Sequence, residues 1–146
     1  MIYNRSLKDP YQELIINKSR FIPFLLGRNA INYLIKTLEI KAILLPTYIC
    51  SIVVDIFNKY DVEVFFYENL DQKLKIPSDQ IISSIKNVNS NNKLFFLWHD
   101  YLNIIGDLPD ELRDFLQESD IEVLIDATHS IPTKLYKSKY VIYGFR

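Results

Sequence analysis

Leu94-Phe95-Phe96-Leu97, then Asp107-Leu108-Pro109-Asp110-Glu111-Leu112, then Ile121-Glu122-Val123-Leu124-Ile125 follow one another in a single stretch, and their reading decides the fold. The first and last are short apolar runs of strand length. Between them Leu108, Leu112, Phe115 and Leu116 recur at helical spacing. Asp107 stands where an N-cap is expected, and Asp110 and Glu111 suit a first helical turn, where the dipole favours carboxylates. Strand alternating with helix at this spacing argues for an α/β layer structure with a mostly parallel sheet.

The same alternation extends outward. Ile31, Leu34, Ile35 and Leu38 fall on one face of a helix beginning near Gly27. Ala42-Ile43-Leu44-Leu45, ended by Pro46, reads as a strand. A helix through Ile49, Ile52, Val53, Ile56 and Phe57 follows, then a strand at Val62-Glu63-Val64-Phe65-Phe66. Pro77-Ser78-Asp79 opens a helix carrying Ile81, Ile82 and Ile85, and Tyr140 to Tyr143 is the last strand. Nearly continuous apolar strands suit a sheet covered by helices on both faces, a three-layer sandwich. Residues 1–23 are mixed and polar, with Pro10, and read as an irregular arm or a poorly formed helix. Residues 24–146 read as the domain itself, with Asn87 to Lys93 a solvated loop inside it.

Composition narrows the function. The 146 residues carry a formal net charge of -1 and are 49% hydrophobic, which suits one globular domain and gives no electrostatic case for nucleic acid or an acidic membrane surface. Nothing approaches the ~18 uninterrupted apolar residues of a membrane span, and Met1 to Ser6 lack a signal-peptide pattern, so a cytoplasmic protein is expected. A single cysteine, Cys50, excludes an internal disulfide and a multi-cysteine metal site. The only glycines, Gly27, Gly106 and Gly144, are too far apart for a glycine-rich phosphate loop.

In such a sheet, sites gather at the carboxyl ends of the strands. Pro46-Thr47-Tyr48, Trp98-His99-Asp100-Tyr101 and Asp126-Ala127-Thr128-His129 lie there, with the helix start Gly27-Arg28-Asn29-Ala30 as a fourth candidate. Asp126 closes an apolar strand. It reads either as a fixed negative charge for a cationic ligand or as a cap for the turn holding Thr128 and Ser130. His129 reads as a ligand or proton-transfer group, or as a structural histidine, and His99 carries the same two readings. A metal set of His99, Asp100, Asp126 and His129 is conceivable, but its spacing matches no zinc motif. Free N–H groups of Arg28, Asn29 and Ala30 at a helix start suit an anion, and Gly27 alone also reads as a turn residue. Tyr48 reads as a stacking platform or as packing, and Cys50 as buried packing. Together these groups suit a flat, phosphorylated, cationic heterocycle.

In this order, these elements resemble the large domain of fold-type I pyridoxal-phosphate enzymes, and more narrowly the DegT/DnrJ/EryC1/StrS family of sugar aminotransferases. The matching stretches are Gly27 to Ile31, Leu44 to Cys50, Trp98 to Tyr101, Ile125 to Ser130 and Tyr140 to Arg146, with Asp126-Ala127-Thr128-His129-Ser130 the most specific. The resemblance implies pyridoxal 5′-phosphate as cofactor. Asp126 would pair with its pyridine nitrogen, and backbone donors at Arg28 and Asn29, after Gly27, would hold the phosphate. Tyr48 would stack on the ring, and His129 would lie near the phenolic oxygen. It also implies nucleotide-linked keto-sugar and amino-acid substrates, and a homodimer with shared sites. Leu26 stands where the family often has Ser, and Gly144 where a phosphate-binding Ser often sits. In the family a stretch like Ile142 to Arg146 leads into the Schiff-base lysine. Here that position has no counterpart, and Lys134, Lys137 and Lys139 precede the strand. The expectation is therefore an aminotransferase-like chain, truncated, with no catalytic lysine and no transaminase activity. A non-catalytic α/β module that binds a partner chain, or a gene fragment, are the alternatives.

Overall fold

The structure is a computed structural model, and it describes residues 14–16, 19–68, 77–100, 107–129, 136 and 138–143. Two short strands, β1 (Leu14–Ile16) and β2 (Ser19–Phe21), pair antiparallel. This ordered pairing lies within the segment expected to be an irregular arm, at two runs short enough to be hidden from periodicity. There follow α1 (Gly27–Thr37), β3 (Ala42–Pro46), α2 (Ser51–Lys59), β4 (Glu63–Tyr67) and α3 (Ser78–Lys86). Then come β5 (Leu94–His99), α4 (Asp110–Glu118), β6 (Glu122–Ala127) and β7 (Tyr140–Tyr143).

The five strands β3 to β7 form one parallel sheet in the order β4-β3-β5-β6-β7. The first crossover steps from β3 out to β4, and the chain then returns past β3 to β5 and moves on the other way. One handedness of crossover with a reversal of direction sends the helices to opposite faces. Ile31 and Ile35 of α1 and Val53 and Phe57 of α2 pack with Ile43, Leu45, Phe95, Leu97 and Leu124 on one face. Ile81 and Ile85 of α3 and Leu112 and Leu116 of α4 pack with Leu44, Phe96, Trp98 and Ile125 on the other. The alternation of side chains along each strand is therefore read by two separate apolar layers. The central strands are buried throughout, as β3 is from Ala42 to Pro46. Strand β4 is an edge and its Phe66 is half exposed, but helices α2 and α3 cover its two faces, as expected for a three-layer sandwich.

Asp107 does not cap α4. The helix starts at Asp110 with Pro109 at the cap position, because proline's fixed φ suits a helix entry and it lacks an N–H to satisfy. Arg113 instead ties this entry, donating to the Leu108 carbonyl at 2.6 Å. Cys50 is exposed rather than buried, because it sits at the start of α2, where the chain leaves the end of β3. Tyr101, Gly106, Ser130, Lys134, Lys137 and Gly144 to Arg146 lie outside the described residues.

Candidate functional site

The strand order reverses between β3 and β5, and the carboxyl ends at such a reversal are the usual ligand position in an open α/β sheet. Tyr48 follows the end of β3, and His99 ends β5. One strand further, β6 runs on to Ala127, so Asp126 lies inside the strand rather than beyond it. Asp126 is paired in register with His99. Paired residues in adjacent strands point to the same face, so both side chains project on the α1/α2 side.

Asp126 and His99 are both buried, and His99 Nδ1 lies 3.3 Å from Asp126 Oδ2. The other carboxylate oxygen, Oδ1, accepts the Thr128 backbone N–H at 3.0 Å and the Thr128 hydroxyl at 2.7 Å. Burial works to raise the Asp126 pKa, but the His99 imidazole and the two Thr128 donors outweigh it and hold the carboxyl below its ordinary value. The capping reading of this residue is met by its contacts to Thr128. One oxygen caps the Thr128 turn, and the other forms the buried charge. His129 follows, with its ring edge-on to His99 at 5.9 Å between centroids.

The start of α1 comes to the same place. A Cβ at Gly27 would sit 3.1 Å from Thr128 Cγ2, a contact tighter than most side chains make, so the absence of a side chain at residue 27 eases the close approach of the helix to the Asp126 turn. The expected row of free donors is shorter than the sequence suggests. Asn29 N–H donates to the Leu26 carbonyl at 2.9 Å, and Ala30 N–H reaches the same oxygen at 3.4 Å. The tight first turn consumes them. Gly27 and Arg28 are left as the positions whose N–H groups have no acceptor within the helix.

Tyr48, two residues past the end of β3, is 61% exposed. Asp100, the residue after His99, is wholly buried, but it projects to the α3/α4 face, where it accepts a hydrogen bond from the Tyr136 hydroxyl. A four-residue metal set of His99, Asp100, Asp126 and His129 therefore does not assemble. Thr128 and Tyr136 are the residues that sequence reading missed as site components. Thr128 was legible as a capping partner of Asp126. Tyr136 lies 36 positions from Asp100, and no local pattern joins them.

The described lysines share one location. Lys36, Lys59 and Lys86 sit at the carboxyl ends of α1, α2 and α3, and Lys41, Lys93 and Lys139 immediately precede β3, β5 and β7. In this topology all six lie at the amino end of the sheet, opposite Asp126. Lys139 Nζ is 3.9 Å from Glu122, at the first residue of β6.

No family model and no curated protein matches the chain. Solved structures do. An aromatic amino acid aminotransferase from Psychrobacter sp. B6 aligns at TM-score 0.51 and 18% identity, over 68% of this chain and 26% of that one. A serine palmitoyltransferase from Sphingomonas wittichii aligns at TM-score 0.53 and 17% identity, over 70% of this chain and 25% of that one. A pyridoxal-phosphate-bound C-S lyase from Staphylococcus hominis aligns at TM-score 0.53 and 13% identity, over 68% of this chain and 27% of that one. The fold is thus that of the pyridoxal-phosphate-dependent fold-type I transferases, and the chain spans about a quarter of the length of these structures. No described helix is long and apolar enough to cross a membrane.

Proposed function

We propose that this chain is a sugar-aminotransferase-like cofactor-binding unit of the DegT/DnrJ/EryC1/StrS kind that holds pyridoxal 5′-phosphate without a covalent bond and does not itself transaminate. One observation carries the reading: a buried carboxylate, Asp126, is held ionised at the mouth of a parallel sheet, beside a helix start whose Gly27 packs closely on Thr128. These residues fit the group by their chemistry. An ionised carboxylate suits a protonated pyridine nitrogen, and a helix N-terminus suits a phosphate. The bound cofactor supplies an electron-withdrawing ring.

The chain's own residues have separable tasks. Asp126 keeps a proton on the ring nitrogen by its negative charge, and His99 and Thr128 keep that charge in place. The Gly27 and Arg28 N–H groups orient the phosphate. Tyr48 covers one ring face, and His129 offers a hydrogen bond beside the ring. All six described lysines lie at the far end of the sheet, so among the described residues charge and hydrogen bonds hold the cofactor rather than an amine. Nucleotide-linked keto-sugar and amino-acid substrates are the family's classes, and we assign the ancestry of this site to them.

The test is titration of the purified chain with pyridoxal 5′-phosphate. Saturable absorbance that dialysis reverses, with no lysine labelled after borohydride reduction, is the expected result. Absence of saturable binding, or cofactor-dependent amino transfer to a keto-sugar, would overturn the proposal.

A second reading, a partner-binding module, is favoured by the exposed apolar side chains. Leu25 (94% exposed), Leu26, Tyr48, Ile52 and Phe66 all belong to segments at the carboxyl end of the sheet. Exposed apolar side chains at this end of the sheet suit a partner chain or a second copy. Sedimentation of the chain at increasing concentration separates a monomer from a homodimer.

A further inference from the structure

Two consecutive residues of the sheet, His99 and Asp100, project to opposite faces, and each holds a different point of the chain beyond β6. On the α1/α2 face His99 meets Asp126, whose other oxygen holds Thr128. On the α3/α4 face Asp100 accepts the hydroxyl of Tyr136, seven positions after His129. The Asp100 backbone joins the two arrangements, since its N–H donates to the Asp126 carbonyl at 3.0 Å. Asp100 is 0% exposed and sits among apolar side chains, where a carboxylate is costly without a donor. Tyr136 supplies that donor, and its own ring is buried and lies 6.1 Å from that of Tyr143 on β7. A buried polar pair of this kind adds little net stability over an apolar pair, but it specifies one position for the groups it joins.

We propose that Asp100 and Tyr136 are positioning residues that set where Thr128 and His129 stand relative to Asp126. Neither side chain reaches the ligand face. They act by fixing the chain on both sides of His129, so that Thr128 stays against Gly27 and the His129 ring stays edge-on to His99. The part of this proposal that concerns ligand affinity rests on the cofactor-binding reading above, and the part that concerns the order of Thr128 and His129 does not.

Tyr136→Phe removes one hydroxyl and keeps the ring, and Asp100→Asn keeps an oxygen that accepts the phenol. The full chain and both variants are compared by amide hydrogen exchange and by titration with pyridoxal 5′-phosphate. Tyr136→Phe is expected to speed exchange at Thr128 and His129 about tenfold, with Leu97 and Leu124 unchanged, and to weaken cofactor binding about tenfold. Asp100→Asn is expected to stay within about threefold of the parent in both measurements. Unchanged exchange at Thr128 and His129 in Tyr136→Phe overturns the proposal. So does faster exchange across the whole sheet, which marks a merely structural role, or an Asp100→Asn variant as impaired as Tyr136→Phe. If the parent chain binds no cofactor while Tyr136→Phe still loosens Thr128 and His129 selectively, the functional reading fails and the positioning role stands.

Discussion

His99 Nδ1 lies 3.3 Å from Asp126 Oδ2, and the two residues are register partners in adjacent parallel strands. The pairing follows from the sheet. Parallel neighbours present the same face, so an imidazole at the end of β5 and a carboxylate near the end of β6 are brought together without any loop having to reach across. Burial then makes the charge expensive unless it is paired, and Thr128 completes the pairing from the other side.

Removing this charge tests its part in binding. Asp126→Asn keeps shape and leaves an acceptor for Thr128, but it loses the charge that the proposed function sets against the ring nitrogen. A charge-assisted hydrogen bond contributes about 1.5–3 kcal/mol, so cofactor affinity is expected to fall roughly 10- to 100-fold in an absorbance titration.

The same carboxylate makes stability depend on pH in a known direction. Its folded pKa is held below the ordinary value, so the unfolded chain binds more protons than the folded one as the group titrates. The contribution is fully present above the unfolded carboxylate value, about 3.9, and is lost as pH falls from there through the lower folded value. Urea midpoints are expected to drop more steeply below about pH 4 in the parent chain than in Asp126→Asn. Parallel curves would show that Asp126 does not contribute.

Gly27 packs closely against Thr128. In Gly27→Ala the new methyl meets Thr128 Cγ2 at 3.1 Å, and overpacking of this kind costs about 1–3 kcal/mol. Thr128→Ser removes the opposing methyl and keeps the hydroxyl that holds Asp126. A double-mutant cycle read by thermal unfolding is expected to show that Gly27→Ala is tolerated far better in the Thr128→Ser background.

Tyr48 acts at the surface. It is 61% exposed, so Tyr48→Ala is expected to change stability by no more than about 0.5 kcal/mol. The lost ring face is expected to weaken cofactor binding about 2- to 10-fold, the size of an aromatic stacking contribution. A large loss of stability with unaltered binding would assign Tyr48 to packing instead.

The legible part of this molecule is the part written in local pattern. Apolar runs at β3, β5 and β6 and the helical stripe through Leu112 and Leu116 follow from burial, which acts residue by residue. Helix entries were less legible. Asp107 has the chemistry of a cap, yet the helix enters through Pro109, because proline's fixed geometry serves the same turn. Cys50 has the composition of a core residue but falls where the chain turns out of the sheet, and exposure there depends on tertiary position rather than residue type.

The sequence by itself determined the layers, the parallel strands and the carboxylate at the strand mouth, because hydrophobic periodicity and the cost of a buried charge are local matters. Tertiary structure alone decided which groups share that mouth. Strand register put His99 beside Asp126 and turned Asp100 to the opposite face toward Tyr136. The reversal of strand order placed Tyr48 and His99 at the carboxyl ends of neighbouring strands. The approach of α1 to Thr128 gave Gly27 its purpose, and helix direction carried the six described lysines to the far end. Contacts between residues tens of positions apart are set by how layers stack and strands align, and no window of sequence contains that information.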